Sequence, residues 1–426
     1  MSLQSLADRR RRRGYSTGRR RRGPARILAL VLAFALVILA AASLVQLRRP
    51  TPHLAIRPLL KAASVVPGRA PALPWPKDGE AAVSVSGIGS LGNSGPQRPL
   101  PAGSLAKVMS AYVLLKDHPL GPAAPGPRLT VSAADVAEYK ADVATGDSVV
   151  AVKAGEVLTE RQALAALLIP SADNIATMLA RWDAGSVPGF VAKMNGAAAR
   201  LGLTQTHFVE PSGVDPASVS TPGDLIRLGE AALALPSFAA LVGQPQVTLP
   251  VSGTLPNFNT VLGRSGVFGI KTGSTAAGGS MLFAAHKQVA GRSLTIVGAV
   301  LDVQGLHPLK PALDASLRLV DAAGAALHEV TVHPAGERAA VIDVPWLSGS
   351  RVLTLPAPVR FVGWAGLPVA AIWSYPAPAD RLPAGARVAS VTFHLGDQSR
   401  AVALTTPTAI PGPSLRWRLL RRYGQH

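Results

Sequence analysis

The segment that decides the reading is Pro101-Ala-Gly-Ser104-Leu-Ala-Lys107-Val-Met-Ser-Ala-Tyr-Val-Leu-Leu-Lys116. It opens with a Pro/Gly turn and continues in helix formers, and Val108, Tyr112 and Leu115 recur at i, i+4 and i+7, which predicts a helix with one buried face. Ser104 and Lys107, three residues apart, fall on the same side of that helix, one turn from each other. A serine at the helix N-terminus sits where free N–H groups and the dipole favour developing negative charge. A lysine desolvated inside the protein has its pKa lowered and can serve as a base. Taken alone, Ser-x-x-Lys is equally an N-capping serine followed by a surface lysine.

Two further stretches share the chemistry. Residues 162–180, QALAALLIPSADNIATMLA, read as a helix, a break at Pro170-Ser171 and a second helix. The polar residues Ser171, Asp173 and Asn174 fall at that break, where side chains can enter a cleft. Residues 267–274, VFGIKTGS, read as a strand ending in Lys271-Thr272-Gly273-Ser274. Lys271 and Thr272 then lie on alternate faces, and Gly273 permits close backbone approach, which suits an edge that binds an extended peptide.

The rest of the chain supplies context. Its 426 residues suggest two domains plus accessory segments. There is no Cys, which removes disulfides, thiolate metal sites and cysteine-protease chemistry. The formal net charge is +19, but ten Arg against one Asp lie in residues 1–26, and Arg416, Arg418, Arg421 and Arg422 lie in the last 13. The body between them is only weakly basic, so no nucleic-acid partner is expected.

Residues 27–47, ILALVLAFALVILAAASLVQL, are uncharged and long enough to cross a bilayer of roughly 30 Å. The Arg excess before them places the N-terminus in the cytoplasm and the remainder outside. A signal peptide cleaved near Ala41-Ala42-Ser43 is the rival to an uncleaved anchor, and the length of the apolar run favours the anchor. Residues 49–77 hold seven Pro and read as an extended spacer. Residues 280–286 and 293–301 read as strands, and 310–324 as a helix. From about 328 to 406 short β runs alternate with Pro and Gly, including a hairpin that turns at Gly396-Asp397.

The ordered trio of Ser-x-x-Lys, a Ser/Asn break and Lys-Thr-Gly resembles the penicillin-binding DD-peptidase and serine β-lactamase superfamily. Val149-Val-Ala-Val-Lys-Ala-Gly-Glu156, Thr206-His-Phe-Val-Glu-Pro211-Ser-Gly213-Val-Asp215 and Ser220-Thr-Pro-Gly-Asp224 are similar to stretches of its low-molecular-weight D-Ala-D-Ala carboxypeptidases, the peptidase S11 type. The resemblance implies an α+β fold: a DD-peptidase/β-lactamase-like antiparallel sheet covered by helices, with a small C-terminal β domain and an N-terminal transmembrane helix. The expected organisation is a cytoplasmic arm (1–26), anchor (27–48), Pro-rich linker (49–77), catalytic domain (78–325), β-rich domain (326–412) and basic tail (413–426). The tail mixes Arg with Leu and Trp and is expected either to touch an anionic membrane surface or to fray.

The resemblance also implies roles. Ser104 is the nucleophile, Lys107 its base and Ser171 a proton relay; Lys271 and Thr272 bind the substrate's terminal carboxylate, the backbone N–H groups of Ser104 and Ser274 form the oxyanion hole, and Gly273, Asp173 and Asn174 complete the expected substrate-binding set. No metal or cofactor is implied. The expected partners are a peptidoglycan stem peptide ending in D-Ala-D-Ala, β-lactams as covalent inhibitors, and the cytoplasmic membrane. DD-endopeptidase activity on cross-links and non-hydrolytic penicillin sensing are the alternatives, as is a β-lactamase in which Glu210 drives deacylation. The family's second motif is usually Ser-x-Asn, whereas this chain reads Ser171-Ala172-Asp173-Asn174. Either Asp173 fills the Asn place or Asn174 reaches the cleft.

Overall fold

The computed structural model describes residues 23–307, 309–376 and 379–421. The Arg runs at 9–13 and 19–22 and the last five residues lie outside them. Helix α1, Gly23–Arg48, is 26 residues long and solvent-facing along its apolar length, with protein contacts only near its C-terminal end among the described residues. Helices α2 (Ala106–Asp117), α3 (Ala133–Thr145), α4 (Glu160–Leu168), α5 (Asp173–Ala184), α6 (Val187–Arg200), α7 (Pro222–Leu233) and α8 (Pro236–Val242) precede the C-terminal half of the central sheet. Helix α9, Leu309–Ala326, follows that sheet and runs two residues past Gly324, the expected stop.

The sheet has five antiparallel strands in the order Val267–Ser274, Gly279–Val289, Arg292–Val303, Glu80–Val85, Gly89–Ser94. Both faces are covered, which explains why residues 280–286 and 293–301 are apolar runs and do not alternate. Met281, Phe283 and Ala285 pack in the cluster that holds α9, whereas Leu282 and Ala284 pack with α2, α4, α5 and α7. The period of two along a strand makes this division. Phe283 lies opposite Gly298, where an added Cβ would stand 2.2 Å from the ring, so the glycine makes room for the aromatic side chain. Strand Val267–Ser274 occupies the sheet edge, and α2 lies on the helical side with its N-terminal turn against that strand.

The stretch assigned as linker, 49–77, does not run free. Ala55–Pro58 pairs with Arg338–Asp343, and Ala63–Val65 pairs with Pro368–Ser374. Leu60, Val66 and Leu73 are buried in the same core as the C-terminal strands. The β region therefore combines residues on both sides of the central sheet and its helices; Pro58 ends an edge strand that need not donate, and the other prolines of this stretch lie outside strands. The expected hairpin is present as Arg387–Leu395 and Gln398–Thr405. Its turn meets the five-stranded sheet, where Asp397 N donates to Gly87 O at 2.8 Å.

Helix α10, Leu415–Leu420, returns to the end of α1. The Arg421 guanidinium donates to the carbonyls of Gln46, Arg49 and Pro50, and Gln46 Nε2 donates to Arg421 O. Trp417 meets Trp346 edge-on at 6.0 Å, which fixes this short helix to the β region. The described part of the tail is thus docked and does not fray.

Candidate active site

Leu100–Pro101 pairs with Val219–Ser220, which delivers the chain to a tight turn at Gly103 with φ +53°. Gly103–Leu105 forms a 3-10 turn that runs directly into α2, so Ser104 lies at the helix N-terminus. Lys107, one turn on, is fully buried. Its Nζ donates to Ser104 Oγ at 2.9 Å, to Asp173 Oδ1 at 2.5 Å and to Ser212 O at 2.8 Å.

Each partner is positioned by its own local structure. Between α4 and α5, Pro170 cannot donate to continue the helix, and Ser171 adopts φ +65°, a conformation that non-glycine residues seldom take. The Ser171 hydroxyl is buried without a hydrogen-bond partner among the described residues. A strained backbone with an unsatisfied buried hydroxyl marks a place kept for function. Asp173 opens α5, with Oδ2 accepting from Ser148 N at 3.0 Å. Asn174 is turned away: its amide accepts from Val150 N and donates to Val150 O, at 3.1 and 2.9 Å. Of the two candidates for the second-motif position, Asp173 therefore meets Lys107, while Asn174 braces the 148–150 segment.

The stretch 206–215 holds a role that sequence reasoning missed. Glu210 Oε2 accepts from Ser212 N and Oγ, and its Oε1 accepts from Gly213 N. The carboxylate is spent on a turn that presents Ser212 O to Lys107. Gly213 has φ +89°, and an added Cβ would lie 1.8 Å from Gly103 O. The similarity of 206–215 to a known family stretch was the available signal, but the sequence gives no hint of what it touches. His207 pairs through its backbone with Val219, and His286 stacks on Phe268 at the exposed end of its strand, so neither is a partner of Ser104.

Across from the turn, Lys271 is buried in the edge strand, with Nζ donating to Thr272 O at 2.9 Å. Burial, and then the nearby Lys107 charge, pushes its pKa well down, and Asp173 opposes this in part. Thr272 is buried and Ser274 exposed. A Cβ on Gly273 would meet Ser104 N at 3.4 Å, and one on Gly103 would meet Ser274 O at 3.2 Å, so strand and turn are in contact.

Behind Asp173 lies a cavity of about 240 Å³ lined by Glu138, Asp142, Asp147 and Glu210 among others. Burial first, and then the charges of Glu138, Asp173 and Asp147, push the Asp142 carboxyl up to about 6. A carboxyl raised in the folded state binds its proton more tightly there, so stability falls as pH rises from about 4 through 6. Asp142→Asn is expected to gain about 1 kcal/mol at pH 7.5 after solvent screening, and nothing below pH 4. Thermal melts at the two pH values check this; equal gains at both would refute the assignment.

A serine at a helix N-terminus, bonded to a buried lysine and flanked by an unpartnered serine and an edge strand with a second buried lysine, is an arrangement that can support active-serine acyl transfer. The chain belongs to the D-alanyl-D-alanine carboxypeptidase family, peptidase S11, whose family model matches residues 91–304. It is 36% identical over 184 residues to the D-alanyl-D-alanine carboxypeptidase DacB2 of Mycobacterium tuberculosis, a match covering 42% of this chain and 59% of that one. With the D-alanyl-D-alanine carboxypeptidase of Streptomyces sp. strain K15 it shares 32% identity over 217 residues, 47% of this chain and 71% of that one. The crystal structure of the Streptomyces K15 DD-transpeptidase superposes with TM-score 0.51 at 27% identity, covering 61% of this chain and 98% of that one. Penicillin-binding protein 5 from Haemophilus influenzae, at 20% identity, shares the fold over 80% of this chain and 99% of its own, with TM-score 0.56.

Proposed function

We propose that the protein is a serine D-Ala-D-Ala carboxypeptidase that trims peptidoglycan stem peptides through an acyl-enzyme on Ser104. The observation that carries this reading is the 2.9 Å hydrogen bond between buried Lys107 and Ser104, set against the Lys271-Thr272-Gly273 edge. The neutral Lys107 amine takes the Ser104 proton as Oγ bonds to the carbonyl carbon between the two D-Ala residues. Backbone N–H groups of Ser104 and Ser274 hold the developing oxyanion, each worth about 3–4 kcal/mol. The proton then passes by way of the Ser171 hydroxyl to the departing nitrogen, and the C–N bond breaks. Water attacks the ester carbonyl and gives a proton to Lys107, which passes it to Ser104 Oγ as the C–O bond breaks and the acid leaves. Lys271, whose charged form is disfavoured by burial, receives the substrate's terminal carboxylate together with Thr272. β-Lactams acylate the same serine.

Glu210 does not act as a deacylating base in this scheme, because its carboxylate oxygens already hold the 212–213 turn. Release of D-Ala from a D-Ala-D-Ala pentapeptide, absent in Ser104→Ala, tests the proposal. Penicillin labelling without D-Ala release points to a sensor, and release only from cross-linked dimers points to an endopeptidase.

Helix α1 is a membrane anchor in this reading, with the Arg-rich arm cytoplasmic and the catalytic domain outside, as the Arg asymmetry supports. The contact of α10 with the end of α1 sets the β region near the bilayer, with exposed Leu415 and Leu420 beside Arg416 and Arg418. Protease protection in spheroplasts and in inverted vesicles tests the orientation. A mature chain that begins beyond residue 43 would show cleavage.

A further inference from the structure

Asp173 stands where the family ordinarily carries a neutral carboxamide, and its surroundings define a distinct task. Lys107 Nζ has three acceptors: Ser104 Oγ, Asp173 Oδ1 and Ser212 O. Three acceptors match the three N–H bonds of an ammonium, whereas a neutral amine has two and must turn its lone pair to one partner. Ser212 O is a carbonyl and only accepts. An ionised carboxylate at 2.5 Å likewise only accepts, so these two partners take two N–H bonds of Lys107 in either state, and it is the carboxylate's charge against the buried Nζ that favours the ammonium, with its third N–H directed to Ser104. Neither carboxylate oxygen is idle, since Asp173 Oδ2 accepts from Ser148 N.

We propose that Asp173 is a positioning residue that holds Lys107 as an ammonium in the resting enzyme and thereby gates acylation of Ser104 by pH. This rests on the reading of Ser104 as nucleophile and Lys107 as base. Before Ser104 can give up its proton, one proton must leave the Lys107–Asp173 pair for solvent; Lys107 then accepts the Ser104 proton, and the count inside the site is restored. The charges facing the pair come from several elements. Lys271 approaches from the edge strand, Asp147 from the loop after α3, Glu138 and Asp142 from α3 itself, and Glu210 from the 206–215 stretch. Burial raises the Asp173 carboxyl, opposed by the Lys107 charge and by the hydrogen bonds from Lys107 and Ser148.

The test is the second-order rate of Ser104 acylation by a fluorescent penicillin, followed from pH 5 to 10 in the full chain. In Asp173→Asn the rise of rate with pH is expected about one to three units lower than in wild type, the effect of removing an opposite charge in contact. Acylation at neutral pH should then be tenfold faster or more, with the KM for pentapeptide unchanged within about threefold. Asp147→Asn removes a neighbouring charge without touching Lys107 and should move the profile by under half a unit. An unmoved profile in Asp173→Asn, an effect confined to KM, an equal shift in Asp147→Asn, or a folded Asp173→Asn that is never acylated would each overturn the gate. Wild-type protein that no penicillin labels at any pH would instead overturn the active-serine reading beneath it.

Discussion

Lys107→Met is expected to slow acylation of Ser104 by about 10²–10⁴-fold, the usual contribution of a positioned base. The same change should destabilise the fold, and in a way that depends on pH. Lys107 and Asp173 form a buried ion pair, and removing one member leaves the other uncompensated, at a cost of about 3–5 kcal/mol. Burial already raises the Asp173 carboxyl, and without the lysine its proton is held more tightly still. A carboxyl with a higher pKa folded than unfolded contributes stability that is lost as pH rises. Lys107→Met should therefore melt close to wild type near pH 4 and well below it at pH 8. Adding Asp173→Asn should restore most of the melting temperature at pH 8 but none of the activity. A pH-independent loss in Lys107→Met would mean that the lysine acts through packing alone.

Gly213→Ala is the second large effect. The added carbon would stand 1.8 Å from Gly103 O and 2.4 Å from Gly103 C, at a backbone angle of φ +89°. Backbone cannot swing aside as a flexible side chain can, so the turn that carries Ser104 must move. Strain and overpacking together should cost roughly 2–4 kcal/mol. A displacement of about 1 Å at a reacting atom is worth about 10²-fold in rate. Gly146→Ala is the control, because Gly146 also has positive φ, +78°, but nothing within 4 Å of the added carbon. It should carry the backbone penalty alone and leave acylation intact. Equal behaviour of the two variants would show that the close approach to Gly103 does not constrain the site.

The legible parts of this protein were those encoded by local pattern. The spacing of Ser104 and Lys107, the break at Pro170-Ser171, the runs at 280–286 and 293–301 and the hairpin at Gly396 all correspond to observed elements. What could not be read depended on pairing across distance. Prolines between 50 and 76 suggest an extended spacer, yet two short strands there complete sheets with residues nearly three hundred positions later. Composition reports that such a segment is not helical; it does not report which strand edges await it. The choice between Asp173 and Asn174 was closed to sequence for a similar reason. Both follow the break, and only the first turn of α5 decides that one meets Lys107 while the other ties to Val150. Glu210 was visible as a carboxylate, but its use as a turn former depends on the following three residues folding back onto it.

Ser104 Oγ is the atom proposed to be acylated. The most direct measurement is intact-protein and peptide mass spectrometry of the full chain after incubation with benzylpenicillin. One penicilloyl adduct on the peptide containing Ser104, absent from Ser104→Ala, is the predicted result. An adduct on any other residue, or one that persists in Ser104→Ala, would contradict it.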